Sequence, residues 1–160
     1  MAWAARNQPD AVECELLTAE AKPLAVTADP YDGPDHQWWA APTSGGGRYD
    51  IVVQVDEDGH TAGGGAGGSG CNPTPPADIE WSGGGGNGPP NPAVSHGGHV
   101  NIEATRVVLT FPDQAPVRLP LDADGYFLKV FPEDPSGAFS YPERIDALDS
   151  NDNIVATITP

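Results

Sequence analysis

Arg106-Val107-Val108-Leu109-Thr110-Phe111 opens the stretch on which the fold turns, and Val117-Arg118-Leu119-Pro120-Leu121 and Tyr126-Phe127-Leu128-Lys129-Val130-Phe131 continue it. In the first run Val107, Leu109 and Phe111 alternate with Arg106, Val108 and Thr110, and in the second Val117, Leu119 and Leu121 alternate with Arg118 and Pro120. A period of two places one set on a core face and the other toward solvent, the pattern of a half-buried strand. The third run follows the turn pair Asp124-Gly125 and looks apolar on both faces. Ile145 to Leu148 and Ile154 to Ile158 then flank Asp149-Ser150-Asn151-Asp152-Asn153, a further strand–turn–strand pattern. Short strands separated by regularly spaced turns predict an all-β chain, an antiparallel Ig-like β-sandwich with its core at residues 100–158.

Toward the N-terminus the signals thin out. Ile51, Val53 and Val55 alternate through Tyr49 to Val55, which predicts one more strand, closed by Asp58-Gly59. Between residues 10 and 27 two readings compete. Asp10 and Glu13 fit a capping box, but Val12, Cys14 and Leu16 alternate with Glu13 and Glu15, and Leu24-Ala25-Val26 follows; a strand pair is preferred over a helix. Asp29-Pro30, Asp32-Gly33-Pro34 and Gly45-Gly46-Gly47 make residues 28–48 a loop that contains His36-Gln37-Trp38-Trp39. Residues 62–98 hold two glycine tracts (63–68 and 83–86), six prolines, Cys71 and the short β-like Ile79-Glu80-Trp81. That composition predicts a long Gly/Pro-rich loop or arm, pinned where Cys71 and Trp81 sit, within a single domain spanning 1–160.

The segments Arg106 to Phe111, Leu121-Asp122-Ala123-Asp124-Gly125-Tyr126-Phe127-Leu128 and Arg144-Ile145-Asp146-Ala147-Leu148-Asp149 resemble small β-modules of uncharacterised secreted or membrane-anchored bacterial proteins. The resemblance covers residues 102–158. It implies an Ig-like fold, an extracellular or cell-surface location and no catalytic residues.

Charge bounds the partners. With 23 acidic residues against 7 basic ones the chain carries a formal charge of −16. A chain with no basic stripe is a poor ligand for nucleic acid or an anionic membrane surface, and no stretch approaches the about 20 apolar residues of a membrane span. The first six residues have neither a basic leader nor an apolar stretch, so no signal peptide is expected. Cys14 and Cys71 are the only cysteines, and with 20 glycines and 18 prolines around a small core they are read as one disulfide. Such a bridge restrains the unfolded chain by about 3–4 kcal/mol.

Four constellations come up for function. Asp56-Glu57-Asp58-Gly59 and Asp122-Ala123-Asp124-Gly125 share D-x-D-G, and clustered carboxylates on loops are the oxygen donors calcium takes. The EF-hand register fails, because Gly59 or Gly125 at its sixth position puts Gln54 or Pro120 first; calcium through Asp56, Asp58, Asp122 and Asp124 stays a candidate beside plain turn chemistry. His96-Gly97-Gly98-His99, with His36, His60 or Cys71, offers zinc donors without a fixed-geometry motif. Gly67-Gly68-Ser69-Gly70-Cys71 misses the nucleophile elbow, and the glycine tracts lack a phosphate-loop Lys-Ser/Thr. Trp38, Trp39 and Trp81, in or beside loops, are the candidate binding rings for a glycan or a protein. The function these readings support is a non-enzymatic extracellular or surface structural and interaction protein, such as a subunit of a filament, surface layer or virus particle. The alternative is a carbohydrate- or calcium-binding module.

Overall fold

The computed structural model describes residues 15–56, 58, 61–70, 76–87, 93–133, 139 and 141–160. They form an all-β protein whose eleven described strands pair only antiparallel. In chain order these are β1 (Lys22–Thr27), β2 (His36–Pro42), β3 (Arg48–Val55), β4 (Thr61–Gly70), β5 (Ile79–Asn87), β6 (Ala93–Val100), β7 (Arg106–Thr110), β8 (Val117–Pro120), β9 (Tyr126–Pro132), β10 (Arg144–Leu148) and β11 (Ile154–Ile158). Three sheets result: an N-terminal sheet β1-β2-β3-β4, a middle sheet β5-β6-β9 and a C-terminal sheet β11-β10-β7-β8.

The middle sheet is covered on both faces, which explains why Tyr126 to Phe131 lacks a polar side. Phe127 and Phe131 join Ile79 and Val100 in a core with Val107, Leu109 and Phe111 of the C-terminal sheet side and Ile145 and Ala147 of β10. Phe131 stacks on Phe139 at 4.6 Å, and Phe111 meets the two rings edge to face at 5.4 and 5.2 Å. On the opposite face Tyr126 meets Trp38 of the N-terminal sheet edge to face at 5.7 Å. Trp38 is 2 % exposed. Its ring needs the glycine beneath it, because a Cβ on Gly97 would lie 3.1 Å from Trp38 Cε3 and 3.2 Å from Leu128 Cδ1.

That contact corrects the expectation for residues 62–98. They are not one long loop: they supply β4, β5 and β6, and the core expected at 100–158 begins at Ile79. Glycine weakens a strand taken alone, but here it lets aromatic side chains of neighbouring strands cross the backbone closely. On Gly98 a Cβ would run into the Phe127 ring and the Glu80 carbonyl. Residues 28–48 are likewise not all loop. His36 to Pro42 forms β2, whose backbone pairs with β3 from His36↔Gln54 to Pro42↔Arg48. Of the strand pair expected over 10–27, the described part holds a 3₁₀ turn at Thr18–Glu20 followed by the single strand β1. Cys14 and Cys71, hence the expected disulfide, lie outside the described residues, as do Gly59 and His60.

Candidate interaction surface

Alternation along the C-terminal sheet that buries Val107, Leu109, Ile145 and Ala147 turns Arg106, Val108, Arg118, Arg144 and Asp146 to its other face. The register aligns them: Val108 sits opposite Arg118 on one side and Asp146 on the other, and Asp146 sits opposite Thr157 of β11. Three of the chain's seven basic residues thus share one sheet face. Arg106 Nη1 lies 3.0 Å and Arg118 Nη1 3.6 Å from the same oxygen, Asp152 Oδ1. Arg144 Nε lies 2.9 Å from Asp146 Oδ2, and Thr157 Oγ1 donates to Asp146 Oδ1 at 2.7 Å. The Arg118 and Arg144 side chains stay 62 % and 54 % exposed.

The β10–β11 turn that holds Asp152 is built by Asp149. Its Oδ1 accepts from Asn151 N and Asn153 N at 2.8 and 2.9 Å, and Oδ2 accepts from Asn153 Nδ2 at 3.0 Å. The side-chain bond from Asn153, with these backbone bonds, holds the Asp149 carboxyl below the usual carboxylate range. Asp152 takes a left-handed backbone conformation, φ +65°, and this projects its carboxylate back over β7 and β8. Beyond the turn runs β11, which among the described strands pairs with β10 alone. Ala147 opposes Ala156 and Leu148 opposes Ile154, so Val155 is the extra residue of a bulge. Ile154 and Val155 are 57 % and 42 % exposed.

The three tryptophans proposed from the sequence are not gathered into one surface. Trp38 is core; Trp39, half-buried, packs with Tyr49, Ile51 and Val53 on the opposite face of the N-terminal sheet and donates to Gln37 Oε1 at 3.0 Å. Trp81 stacks on His96 at 5.9 Å in the middle sheet. Nor do the four aspartates converge. Asp56 Oδ1 accepts from Asp58 N at 3.1 Å, while Asp122 Oδ1 accepts from Asp124 N and Tyr126 N at 3.0 and 2.8 Å, turn bonds that use the carboxylates locally. Asp56 also lines, with Asp32 and Asp35, a hollow of about 550 Å³. Among the described residues no group of three or more His, Cys, Asp or Glu side chains is placed to hold a metal ion.

The histidines are separated as well. His96, fully buried, lies 2.7 Å by Nε2 from the Phe139 carbonyl, to which that N–H donates. Burial pushes its pKa below the ordinary value, against the raising effect of that bond. His99 donates from Nε2 to Asp124 O at 2.9 Å and stacks on Tyr126 at 4.3 Å. His36 Nε2 lies 2.7 Å from Asp29 Oδ2 in a buried pair. Burial would raise the Asp29 carboxyl, but bonds from His36, Tyr31 N, Gly33 N and Gln54 outweigh it and hold it low.

Between the N-terminal and middle sheets lies a charged cluster that no motif in the sequence marks. Arg48 Nε is 2.9 Å from Asp50 Oδ1 and Arg48 Nη2 is 3.2 Å from Glu80 Oε2. Burial raises the Asp50 carboxyl, and Arg48 offsets part of that rise. Among the described residues no helix is long and apolar enough to cross a membrane. Comparison with known proteins finds no matching family model, no matching curated protein and no matching solved structure.

Proposed function

We propose that the chain is a non-enzymatic structural and interaction module of Ig-like β-sandwich type, acting outside the cell or on its surface as a subunit of a larger assembly. The observation that carries the reading is the edge strand β11. Its five residues, Ile154-Val155-Ala156-Thr157-Ile158, carry no charge in a chain of net −16, and its apolar Ile154 and Val155 are exposed. An unpaired strand edge presents a row of backbone donors and acceptors to which a partner strand adds. The Val155 bulge twists that edge and restricts which strand fits, a device that separates specific pairing from aggregation. Support for the sandwich comes from the apolar layer between the middle and C-terminal sheets. The Ig-like class and the surface location rest on the resemblance of residues 102–158 to bacterial β-modules.

Light scattering after size-exclusion chromatography tests the reading. The native chain is expected above its monomer mass of 16.6 kDa, and Ile154→Lys, which puts a charge on the edge, is expected to lower the mass without changing the melting temperature. A monomer for both, with no strand peptide bound at β11, would leave the edge without a function.

A further inference from the structure

The edge β11 needs a seat on its partner, and we infer that the seat is the groove along β9 of a second copy, so that chains assemble head to tail. The inference rests on the reading of β11 as the assembling edge. β9 lies at the end of the middle sheet, and among the described strands β6 is its one partner. Register fixes where its backbone points. Val100 N donates to Gly125 O and Asp122 N to Tyr126 O. Alternation therefore turns the peptide groups of Phe127 and Lys129 toward β6 and those of Leu128 and Val130 away from it. Tyr126 uses its outward groups in the Asp122 turn, where its N also donates to Asp122 Oδ1. Leu128 and Val130 have no strand opposite their outward groups among the described residues, yet they are only 8 % and 1 % exposed. Buried peptide groups call for partners, and a strand laid along β9 supplies them.

The surroundings of that edge select the strand. A hollow of about 400 Å³ is lined by Val26 and Thr27 of β1, Leu119 of β8, Leu121 just after it, and Phe127 and Leu128 of β9. Val26 is 55 % exposed there. The two charged residues of the lining, Asp122 and Lys129, have opposite signs. Two chains of −16 repel wherever acidic surfaces meet, so the patches that close are those without net charge. β11 has no charge and the groove balances to none, and Ile154 and Val155 bring apolar side chains to an apolar wall. The other free edge of the C-terminal sheet, β8, is a poorer seat. Leu121 N donates to Thr105 O, so alternation turns Arg118 and Pro120 outward, and Pro120 has no N–H to give. A contact between two different patches does not close on itself, so further copies add to each end.

Light scattering of the full chain at rising concentration is the test, and the native mass is expected to climb past two chains. Ile154→Lys on the edge and Val26→Lys in the groove are each expected to reduce it to a monomer with the melting temperature unchanged. Mixing the two variants then decides. The first keeps its groove and the second its edge, so the mixture forms one intact contact and reaches the mass of two chains and no more. If Val26→Lys assembles as the native chain does, the groove is wrong while the reading of β11 stands. A native mass that stops at two chains, with a mixture that stays monomeric, sets β11 against β11 of the other copy and also overturns the groove. A native monomer overturns both. Should Val26→Lys lower the melting temperature, the peptide Asn153-Ile154-Val155-Ala156-Thr157-Ile158 added to the isotope-labelled Ile154→Lys chain replaces it. Amide shifts at Leu128 and Val130 support the seat; shifts confined to β10 and β11, or none, overturn it.

Discussion

The middle sheet meets its two neighbours by different means. Toward the C-terminal sheet the contact is an apolar layer, in which Phe111, Phe131 and Phe139 cluster with Leu109 and Ile145. Toward the N-terminal sheet it holds Trp38, over Gly97 and edge to face with Tyr126, beside the charges of Arg48, Asp50 and Glu80. The apolar side chains of such a layer carry no charge to screen, and their contribution scales with the area removed from water. A contact built on a ring and an ion cluster depends on a close backbone approach and on screening. The difference teaches that the C-terminal half carries the fold's stability, while the N-terminal sheet is fastened by fewer, more conditional contacts.

Phe111→Ala strikes the apolar layer and is expected to have the largest effect. Phe111 is 2 % exposed, and such truncations cost about 3–5 kcal/mol. Urea unfolding followed by tryptophan fluorescence reads it, and a loss below about 1 kcal/mol would break the comparison.

Next is Gly97→Val, which pushes a branched side chain against Trp38 and Leu128. Overpacking of this kind costs about 1–3 kcal/mol. Its loss is expected to be confined to the N-terminal sheet: faster amide exchange in β2 and β3, with β7 and β10 unchanged. Equal exchange in all four strands would mean that the two contacts do not act separately.

Arg48→Met sharpens the electrostatic side. Arg48 is more than a third exposed, so removing it is expected to cost only about 1 kcal/mol, and to remove the salt dependence of the melting temperature contributed by this contact. Phe111→Ala is expected to leave that dependence intact.

Acid probes the apolar layer from inside. Burial holds the His96 imidazole below its ordinary value of 6.5, so as pH falls through 6.5 the unfolded chain takes up a proton that the folded chain does not. Stability is therefore full above 6.5 and declines as pH drops toward the folded-state value. His96→Phe keeps the aromatic packing and is expected to flatten the melting temperature between pH 7 and pH 5; an unchanged slope would point to another group. Asp29, held low, adds its own loss only at more acidic pH, below its ordinary 3.8.

The smallest effect is expected from Asp152→Ala, whose side chain is 54 % exposed, within about 0.5 kcal/mol in a thermal melt. A larger loss would make the arginine face part of the fold's fastening.

Legibility followed the period of two. Tyr49 to Val55, Arg106 to Phe111 and Val117 to Leu121 alternate in the sequence and form β3, β7 and β8, while the apolar run Tyr126 to Phe131 and the short apolar runs at 145–148 and 154–158, set off by turn residues, form β9, β10 and β11. The same alternation already held the arginine face: Arg106 and Arg144 stand two residues before Val108 and Asp146, in the phase that the core does not use. The apolar phase marks each strand by itself, whereas the polar phase becomes a surface only when register sets the strands side by side. The turn residues around Trp38 and Trp39 predict a loop, yet the β2–β3 pairing takes one ring into the core and leaves the other on the opposite face.

By itself the sequence determined that the chain is β-rich, strongly acidic and built from short alternating strands, because those properties are local and need only neighbours along the chain. Tertiary structure decided the rest. The Gly97-Gly98 pair reads as part of a linker until Trp38 and Phe127 lie across it, and that crossing joins residues far apart in sequence. Three arginines dispersed over nearly forty positions become one face only when strand register aligns them, and register is fixed by which side of each strand is buried.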